Sequence, residues 1–222
     1  MKRLVVFGLV LAVVMGLTLA VGADSHEEDN IYTGFSEFSR GYVEARLALD
    51  NGEITSVELL EYNDMGELKD EDYRLDEWHE AMEALPGRFL EANSAEIDAY
   101  TGATSTREKA MAAVEMALQK AEGVEQFDGT FMGLSEVEDN SWNIALVTVE
   151  EGKITAVELE EVSDGELKDE DYRLDEWHEA REELPARFIE TDSAEVDTYT
   201  GATGSSERWI EAVADALTKA GL

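Results

Sequence analysis

Hydrophobic and polar residues alternate in two pairs of segments, and this alternation predicts two β-hairpins. Every second residue is apolar within Tyr42–Leu49, as expected for a half-buried strand. Asn51-Gly52 then favours a tight turn, so Ile54–Tyr62 is predicted to return as the partner strand. Trp142–Val149 and Ile154–Val162 repeat the pattern around a turn at Glu151-Gly152.

A helical period follows each hairpin. Leu75, Trp78, Met82 and Leu85 recur at the spacing of an amphipathic helix, and acidic residues occupy the opposite face. Pro86 suits the first turn of a second, short helix, because the proline nitrogen carries no hydrogen to donate.

Each unit is predicted to end with another helix. A short extended segment at Ile97–Tyr100 leads into a helix that runs from Thr104 to about Lys120. Ser105 and Glu108 have the spacing of a capping box at its start. Strands, helices, a short strand and a last helix, in this order, predict a small α+β domain.

An internal repeat indicates that this unit occurs twice. Gly66–Ala81 and Gly165–Ala180 are identical, and similarity at the same offset of 99 residues continues to either side. This period is too long for a solenoid and suits tandem small domains. We predict one domain over residues 31–123 and a second over residues 126–222, with a short join between them.

The N-terminus has the layout of an export signal. Lys2 and Arg3 precede the apolar run Leu4–Val21, and small residues then allow cleavage after Ala23. The run also reaches the length of a membrane span, so residues 1–23 are predicted to be a signal peptide or an uncleaved anchor. Either alternative places the domains outside the cytoplasm, secreted, periplasmic or anchored at the outer face of the membrane.

Composition narrows the classes of function. With 52 acidic and 17 basic residues the net charge is -35, which repels phosphate backbones and argues against nucleic-acid binding. The chain has no Cys, so disulfides, thiolate zinc sites and iron–sulfur clusters are excluded. The acid excess fits either adaptation to high salt or docking to cationic partners, and composition alone does not separate the two.

The stretch with the clearest chemistry joins the extended segment to the last helix of each unit. It reads Asp-x-x-Thr-Gly-Ala-Thr in both copies. A structural interpretation needs only a turn glycine and a capped helix. A functional interpretation rests on the free N–H groups and partial positive charge of a helix N-terminus, which together favour a phosphate. A threonine hydroxyl at that point is a candidate attachment site for one.

This stretch resembles the flavinylation motif of the FMN-binding domain family, which includes FMN-carrying subunits of the sodium-pumping NADH:quinone oxidoreductase and of the Rnf complex, and extracellular flavin carriers with tandem domains. The resemblance implies two covalent FMN groups, each joined through a phosphodiester to the last threonine by an extracytoplasmic FMN transferase. The acceptors would be Thr104 and Thr203. The matching cofactor-binding residues are Asp98, Thr101, Gly102 and Ala103 in the first motif and Asp197, Thr200, Gly201 and Ala202 in the second.

The second motif departs slightly from the first, because Gly204 follows it where the first has Ser105. The acidic segment Asp70–Glu80 has no role that the resemblance supplies. The Asp70-Glu71-Asp72 run lacks the spaced oxygens and central glycine of a calcium loop, and no metal site is predicted.

Aromatic residues near these segments have two interpretations. Tyr100 and Tyr199 are candidates for packing against the flavin ring, although core packing is the more common role for such residues. Trp78 and Trp177 are predicted to lie in the core. His79 and His178 are predicted on a solvated helix face, with a metal site or proton relay as the alternative.

The favoured function is therefore that of an exported, membrane-associated or secreted electron carrier rather than an enzyme. Its partners would be the transferase and redox proteins or a membrane electron-transfer complex. Two alternatives remain at this stage: an acidic tandem-repeat surface binding protein without flavin, and a flavin-dependent reductase of a small substrate. The many carboxylates further predict a low reduction potential, because reduction adds negative charge to the flavin.

Overall fold

The computed structural model describes residues 30–98 and 102–222. The signal or anchor predicted at residues 1–23 lies outside this range, as do Tyr100 and Thr101. Among the described residues no helix is long and apolar enough to cross a membrane.

Each repeat is an antiparallel sheet packed against two helices, which confirms the α+β class. The first repeat contains β1 (Asn30–Phe35), β2 (Tyr42–Asp50), β3 (Glu53–Tyr62), α1 (Asp76–Ala92) and α2 (Thr104–Ala121). The second contains β4 (Gly129–Leu134), β5 (Trp142–Glu150), β6 (Lys153–Ser163), β7 (Glu166–Leu167), α3 (Asp175–Thr191) and α4 (Thr203–Ala220). The sheet orders are β1-β2-β3 and β4-β5-β6-β7.

The predicted hairpins are confirmed, with a turn at Asn51-Gly52 and another at Glu151-Gly152. Val43, Ala45 and Leu47 are fully buried beneath the helices, as the alternation predicted. Each sheet also has a first strand, β1 or β4, that the sequence pattern did not predict. These strands are short and contain glycine, so their alternation is weak.

Those glycines let the last helix of each repeat lie directly on the first strand. A Cβ on Gly34 would lie 2.1 Å from the Ala113 carbonyl oxygen, and one on Gly133 would lie 1.8 Å from that of Ala212. Both distances are far below van der Waals contact. The position of α2 and α4, and hence of the motif at the start of each helix, is therefore set by backbone-to-backbone packing.

Three local predictions are wrong. Pro86 lies inside the single helix α1, because Trp78, Leu85 and Phe89 form one buried stripe along it that two helices would interrupt. The extended segment Ile97–Tyr100 lies only partly within the described residues, and its counterpart in the second repeat, residues 196–199, is not a strand. Ser105 does not cap α2, because the helix begins at Thr104 and Ala103 occupies the N-cap position.

Candidate functional site

The motif threonines occupy the first helical residue of α2 and α4 in both repeats. Thr104 and Thr203 are exposed, while the alanines before them, Ala103 and Ala202, are buried. No side chain of the described residues caps either helix. The first-turn amides have no partner within the helix, and they lie beside an accessible hydroxyl. This local geometry fits a phosphate attached to the threonine oxygen.

The glycine of each motif turns the chain sharply into the helix. Gly102 has φ 99° and Gly201 has φ 93°, a region that residues with a Cβ rarely adopt. A Cβ on Gly201 would also approach the Glu176 Cγ to 2.7 Å. The first turn of α3, and likewise that of α1 through Glu77, therefore packs closely against the motif.

Ser206 fixes the chain segment around Tyr199, within the second motif. Its hydroxyl oxygen accepts a hydrogen bond from the Tyr199 amide at 3.1 Å, and the hydroxyl donates to the Ala202 carbonyl oxygen at 2.8 Å. These bonds take the place of the ladder bonds of the predicted strand. Tyr199 is half-buried at the edge of the core, and its hydroxyl donates to the Glu179 carboxylate.

Shallow grooves flank both motifs at equivalent positions, and we call them the motif grooves. The first is lined by Arg88, Glu91, Ala92, Glu96, Ile97 and Asp98. The second, of about 650 Å³, is lined by Arg187, Glu190, Thr191, Glu195, Val196 and Asp197. Arg187 donates to the Asp197 carbonyl oxygen and lies 5.6 Å from the centre of the Tyr199 ring. Each motif groove includes the first residue of its motif, Asp98 or Asp197, which lies six residues before the threonine.

A buried glutamate lies behind each motif helix, and sequence analysis missed it. Glu61 accepts hydrogen bonds from Lys69, from Lys109 of α2 and from the Trp78 indole, at distances of 2.5 to 2.8 Å. Burial by itself raises the pKa of Glu61, but the bonds and charges of Lys109 and Lys69 outweigh it and hold that pKa below its ordinary value.

The second repeat has the same cluster, with one substitution. Glu161 pairs with Lys168, the Trp177 indole and Arg208, which replaces the lysine on the motif helix. Burial again raises the pKa, and the bonds of Lys168, Ser205 and Trp177 lower it further than burial raises it. Ser205 and Arg208 lie two and five residues after Thr203, so the buried carboxylate anchors the first turns of α4.

The identical sixteen-residue block now has a structural role in building this cluster. It supplies Lys69, Trp78 and their counterparts, and its tyrosines Tyr73 and Tyr172 pack edge-on against the indoles. Trp78 and Trp177 are buried, as predicted. Retention of lysine and tryptophan in both copies was a signal in the sequence that could have revealed the cluster.

The histidines of the block differ from their predicted position on a solvated face. His79 and His178 are half-buried, and each ring nitrogen Nε2 lies 2.6 Å from the carbonyl oxygen of Tyr73 or Tyr172. Both rings pack edge-on against the neighbouring indole. In the described part of the chain, no group of three acidic or histidine side chains could hold a metal ion.

Residues 40–119 and 144–218 both match the sequence profile described as "FMN-binding domain". The chain belongs to the FMN-binding domain family. The tandem arrangement and the implied cofactor, FMN, follow from the two matches. Of the motif residues, Asp98, Gly102 to Thr104 and Asp197 to Thr203 lie within the described structure, whereas Thr101 does not.

The crystal structure of the CPE2226 protein from Clostridium perfringens is similar over 43% of this chain and 89% of that chain, at 24% identity and a TM-score of 0.37. No curated protein matches this FMN-binding domain protein.

Proposed function

We propose that the protein is an exported electron carrier with one FMN joined to Thr104 and another to Thr203 through phosphodiester bonds. The observation that carries the proposal is an exposed threonine at the first residue of an uncapped helix, present in both FMN-binding domains. Bound FMN supplies one-electron and two-electron redox chemistry. The chain supplies the tether, the orientation and the electrostatic field.

The local geometry supports attachment at these two hydroxyls. Gly102 and Gly201 place each threonine beyond a buried alanine, so the hydroxyl faces solvent while the backbone is fixed. First-turn amides lie beside the phosphate position, and the helix dipole favours an anion there. A transferase would form the threonine oxygen–phosphorus bond as the phosphoanhydride of an activated flavin donor breaks, so that the rest of the donor leaves as a phosphate monoester and the hydroxyl proton is released.

The position of the sites supports exchange of electrons between proteins. A large groove is lined by Asn51, Leu118 and Ala121, at the C-terminal end of α2. An 18-residue helix spans roughly 27 Å, so this groove is remote from Thr104 at the other end. A flavin at an exposed helix start is accessible to a partner protein, which favours the carrier over a small-substrate reductase.

The proposal also covers the location of the protein, its partners and the reduction potential of its flavins. Lys2, Arg3 and the apolar run Leu4–Val21 favour a location outside the cytoplasm, where an FMN transferase and redox partner proteins or a membrane complex would meet the carrier. The net charge of -35 favours a low reduction potential, because it opposes the addition of negative charge to the flavin.

Mass spectrometry of the co-expressed protein tests the attachment. The full chain is produced with an extracytoplasmic FMN transferase, denatured, and examined by intact mass and in-gel flavin fluorescence. We expect two FMN adducts, of which Thr104→Ala removes one and Thr203→Ala removes the other.

Thr218→Ala is the matched control, because Thr218 lies at the opposite end of α4 and its hydroxyl bonds to the Ala214 carbonyl oxygen. This variant should retain both adducts. An unmodified, colourless chain would contradict the proposal and favour an acidic binding protein without flavin. Adducts that survive both motif substitutions would contradict the assigned residues.

A further inference from the structure

We propose that the two flavin sites have unequal reduction potentials, with the higher potential at Thr104. The inference rests on the proposed function and concerns charges that differ between two otherwise equivalent sites. Arg107 adds a cation at the first site, and Glu183 adds an anion at the second. Electrons would then pass from the flavin at Thr203 to the flavin at Thr104.

Arg107 lies on the same side of α2 as the attachment residue. Thr104 and Arg107 are three residues apart, a spacing that places their side chains side by side, with Cβ atoms roughly 5–6 Å apart. The Arg107 side chain is 17% exposed, and its Nη1 lies 3.5 Å from the Ile97 carbonyl oxygen. Its Nη2 lies 3.8 Å from the Glu108 carboxylate, an acid that the second repeat shares at Glu207, so Arg107 remains the charge that differs. Ile97 also lines the first motif groove. The cation is therefore held between the helix start and that groove.

Ser206 takes this position in the second repeat. Its hydroxyl bonds to the Tyr199 amide and to the Ala202 carbonyl oxygen, so a neutral side chain fixes the segment that Arg107 contacts in the first repeat. The four first-turn residues Thr203 to Ser206 contain no charged side chain.

An extra carboxylate lies beside the arginine of the second motif groove. Glu183 lies 3.3 Å from the Arg187 guanidinium, which partly neutralises the cation of that groove. The equivalent residue of the first repeat is Ala84, and Arg88 is the equivalent arginine. Both differences have the same sign, since the second site loses one positive charge and gains one negative charge.

The other charges near the motifs occur in both repeats and largely cancel in the comparison. Glu77 and Glu176 pack against the two motif glycines. The groove acids Glu91, Glu96 and Asp98 likewise have the counterparts Glu190, Glu195 and Asp197. The net negative charge of the molecule lowers both potentials, whereas Arg107 and Glu183 separate them.

The direction follows from the charge balance of reduction. When a flavin takes up more electrons than protons, it gains negative charge, which a nearby cation stabilises and a nearby anion opposes. In a redox titration the electrons come from dithionite, and in the cell they would come from a reduced partner protein. Oxidation of one flavin balances reduction of the other in the transfer between them.

Potentiometry on single-flavin forms of the full chain tests the inference. Thr203→Val leaves the first site and Thr104→Val leaves the second, and intact mass establishes that each form carries one FMN. We expect a higher midpoint potential in the Thr203→Val form at low salt. Adding Arg107→Ser to it should lower the midpoint, and Arg107→Lys should retain most of the original value because the charge is kept.

Glu183→Ala provides the reciprocal change at the second site, since it installs the residue found in the first repeat. In the Thr104→Val form it should raise the midpoint, and 1 M salt should shrink these differences, because screening shortens the Debye length to about 3 Å.

Equal midpoints at low salt in the two single-flavin forms would overturn the inference. So would an equal fall in Arg107→Ser and Arg107→Lys, which would show a structural effect. Absence of FMN from the unsubstituted chain would instead overturn the proposed function.

Discussion

At the scale of single residues, the buried glutamates connect the acidic block to the motif helices. Glu161 is 1% exposed, and a carboxylate at such depth is unfavourable unless charged and hydrogen-bonding partners surround it. Lys168 comes from the block and Arg208 from α4. The pairing therefore ties the motif helix α4 to strand β6 and to the block, close to Thr203.

Removal of the carboxylate should destabilise the domain and change its response to acid. Glu161→Gln leaves Lys168 and Arg208 without their counter-charge, and we expect a loss of about 3–5 kcal/mol in the free energy of unfolding. The pKa of Glu161 in the folded state lies below its ordinary value of 4.5. The stability it contributes is thus complete above pH 4.5 and is lost as pH falls through the lower folded value.

Urea unfolding between pH 3 and pH 7 measures both effects. The free energy of unfolding of Glu161→Gln should depend less steeply on pH below about 4.5 than that of the unsubstituted chain. Glu71→Gln removes the same charge from an exposed position, and its stability should change by less than about 0.5 kcal/mol. An equal response in the two variants would contradict a special role for the buried carboxylate.

At the scale of secondary-structure elements, periodicity predicted the hairpins and the motif helices because one face of each is buried. It failed where tertiary contacts outweigh local preference. Pro86 remains in α1 because the buried stripe continues through it, and β1 was missed because Gly34 interrupts an already short pattern.

The candidate site was partly predictable for the same reason. The motif residues and their place at a helix start were readable from the sequence, since they form one continuous stretch. Glu61 was not, because one buried glutamate among many exposed ones has no local signature. The role of Ser206 was not readable either, because it depends on a hydrogen bond from the Tyr199 amide, seven residues earlier in the chain, to the Ser206 hydroxyl oxygen.

The contact between α4 and β4 gives a prediction at this scale. Gly133→Ala places a methyl group 1.8 Å from the Ala212 carbonyl oxygen, so the helix must move away from the strand. We expect a loss of about 3 kcal/mol in the free energy of unfolding, the upper part of the range for overpacking. Gly87→Ala is the control, because nothing lies within 4 Å of that position in α1; it should stabilise by about 1 kcal/mol. Denaturant titration compares them, and equal effects would show that helix α4 is free to shift.

At the scale of the whole molecule, the acid excess surrounds two domains that share a buried contact. Tyr42 of the first repeat packs with Met132, Trp142, Ile144 and Val162 of the second, on the sheet faces turned away from the helices. Among polar contacts, the Trp142 indole donates to the Met65 carbonyl oxygen at 2.7 Å, and the buried Lys219 approaches the Tyr42 hydroxyl. This contact holds the domains together despite their like charge. We therefore expect it to fix the position of the two motif helices relative to each other.

Loss of Trp142 should therefore uncouple the domains. We expect the unsubstituted, flavin-free chain to unfold in one calorimetric transition, because each domain is stabilised by contact with the other. Trp142→Ala removes the largest ring of the contact and its bond to Met65, at a cost of about 3–5 kcal/mol. The first and second repeats should then melt in separate transitions.

Trp142→Phe is the matched control for the hydrogen bond. It keeps an aromatic ring in the contact and should retain a single transition at slightly lower temperature, with a loss of about 1–1.5 kcal/mol from the missing bond. Two transitions in the unsubstituted chain would contradict coupling through this surface. A single transition in both variants would place the coupling in the remaining contacts. Electron exchange between two tethered flavins depends on the distance between their attachment points. If that distance varies more in the Trp142→Ala chain with both FMN groups, stopped-flow reduction should show a broader range of exchange rates. An unchanged distribution of rates would show that the two motif helices keep their spacing without this tryptophan.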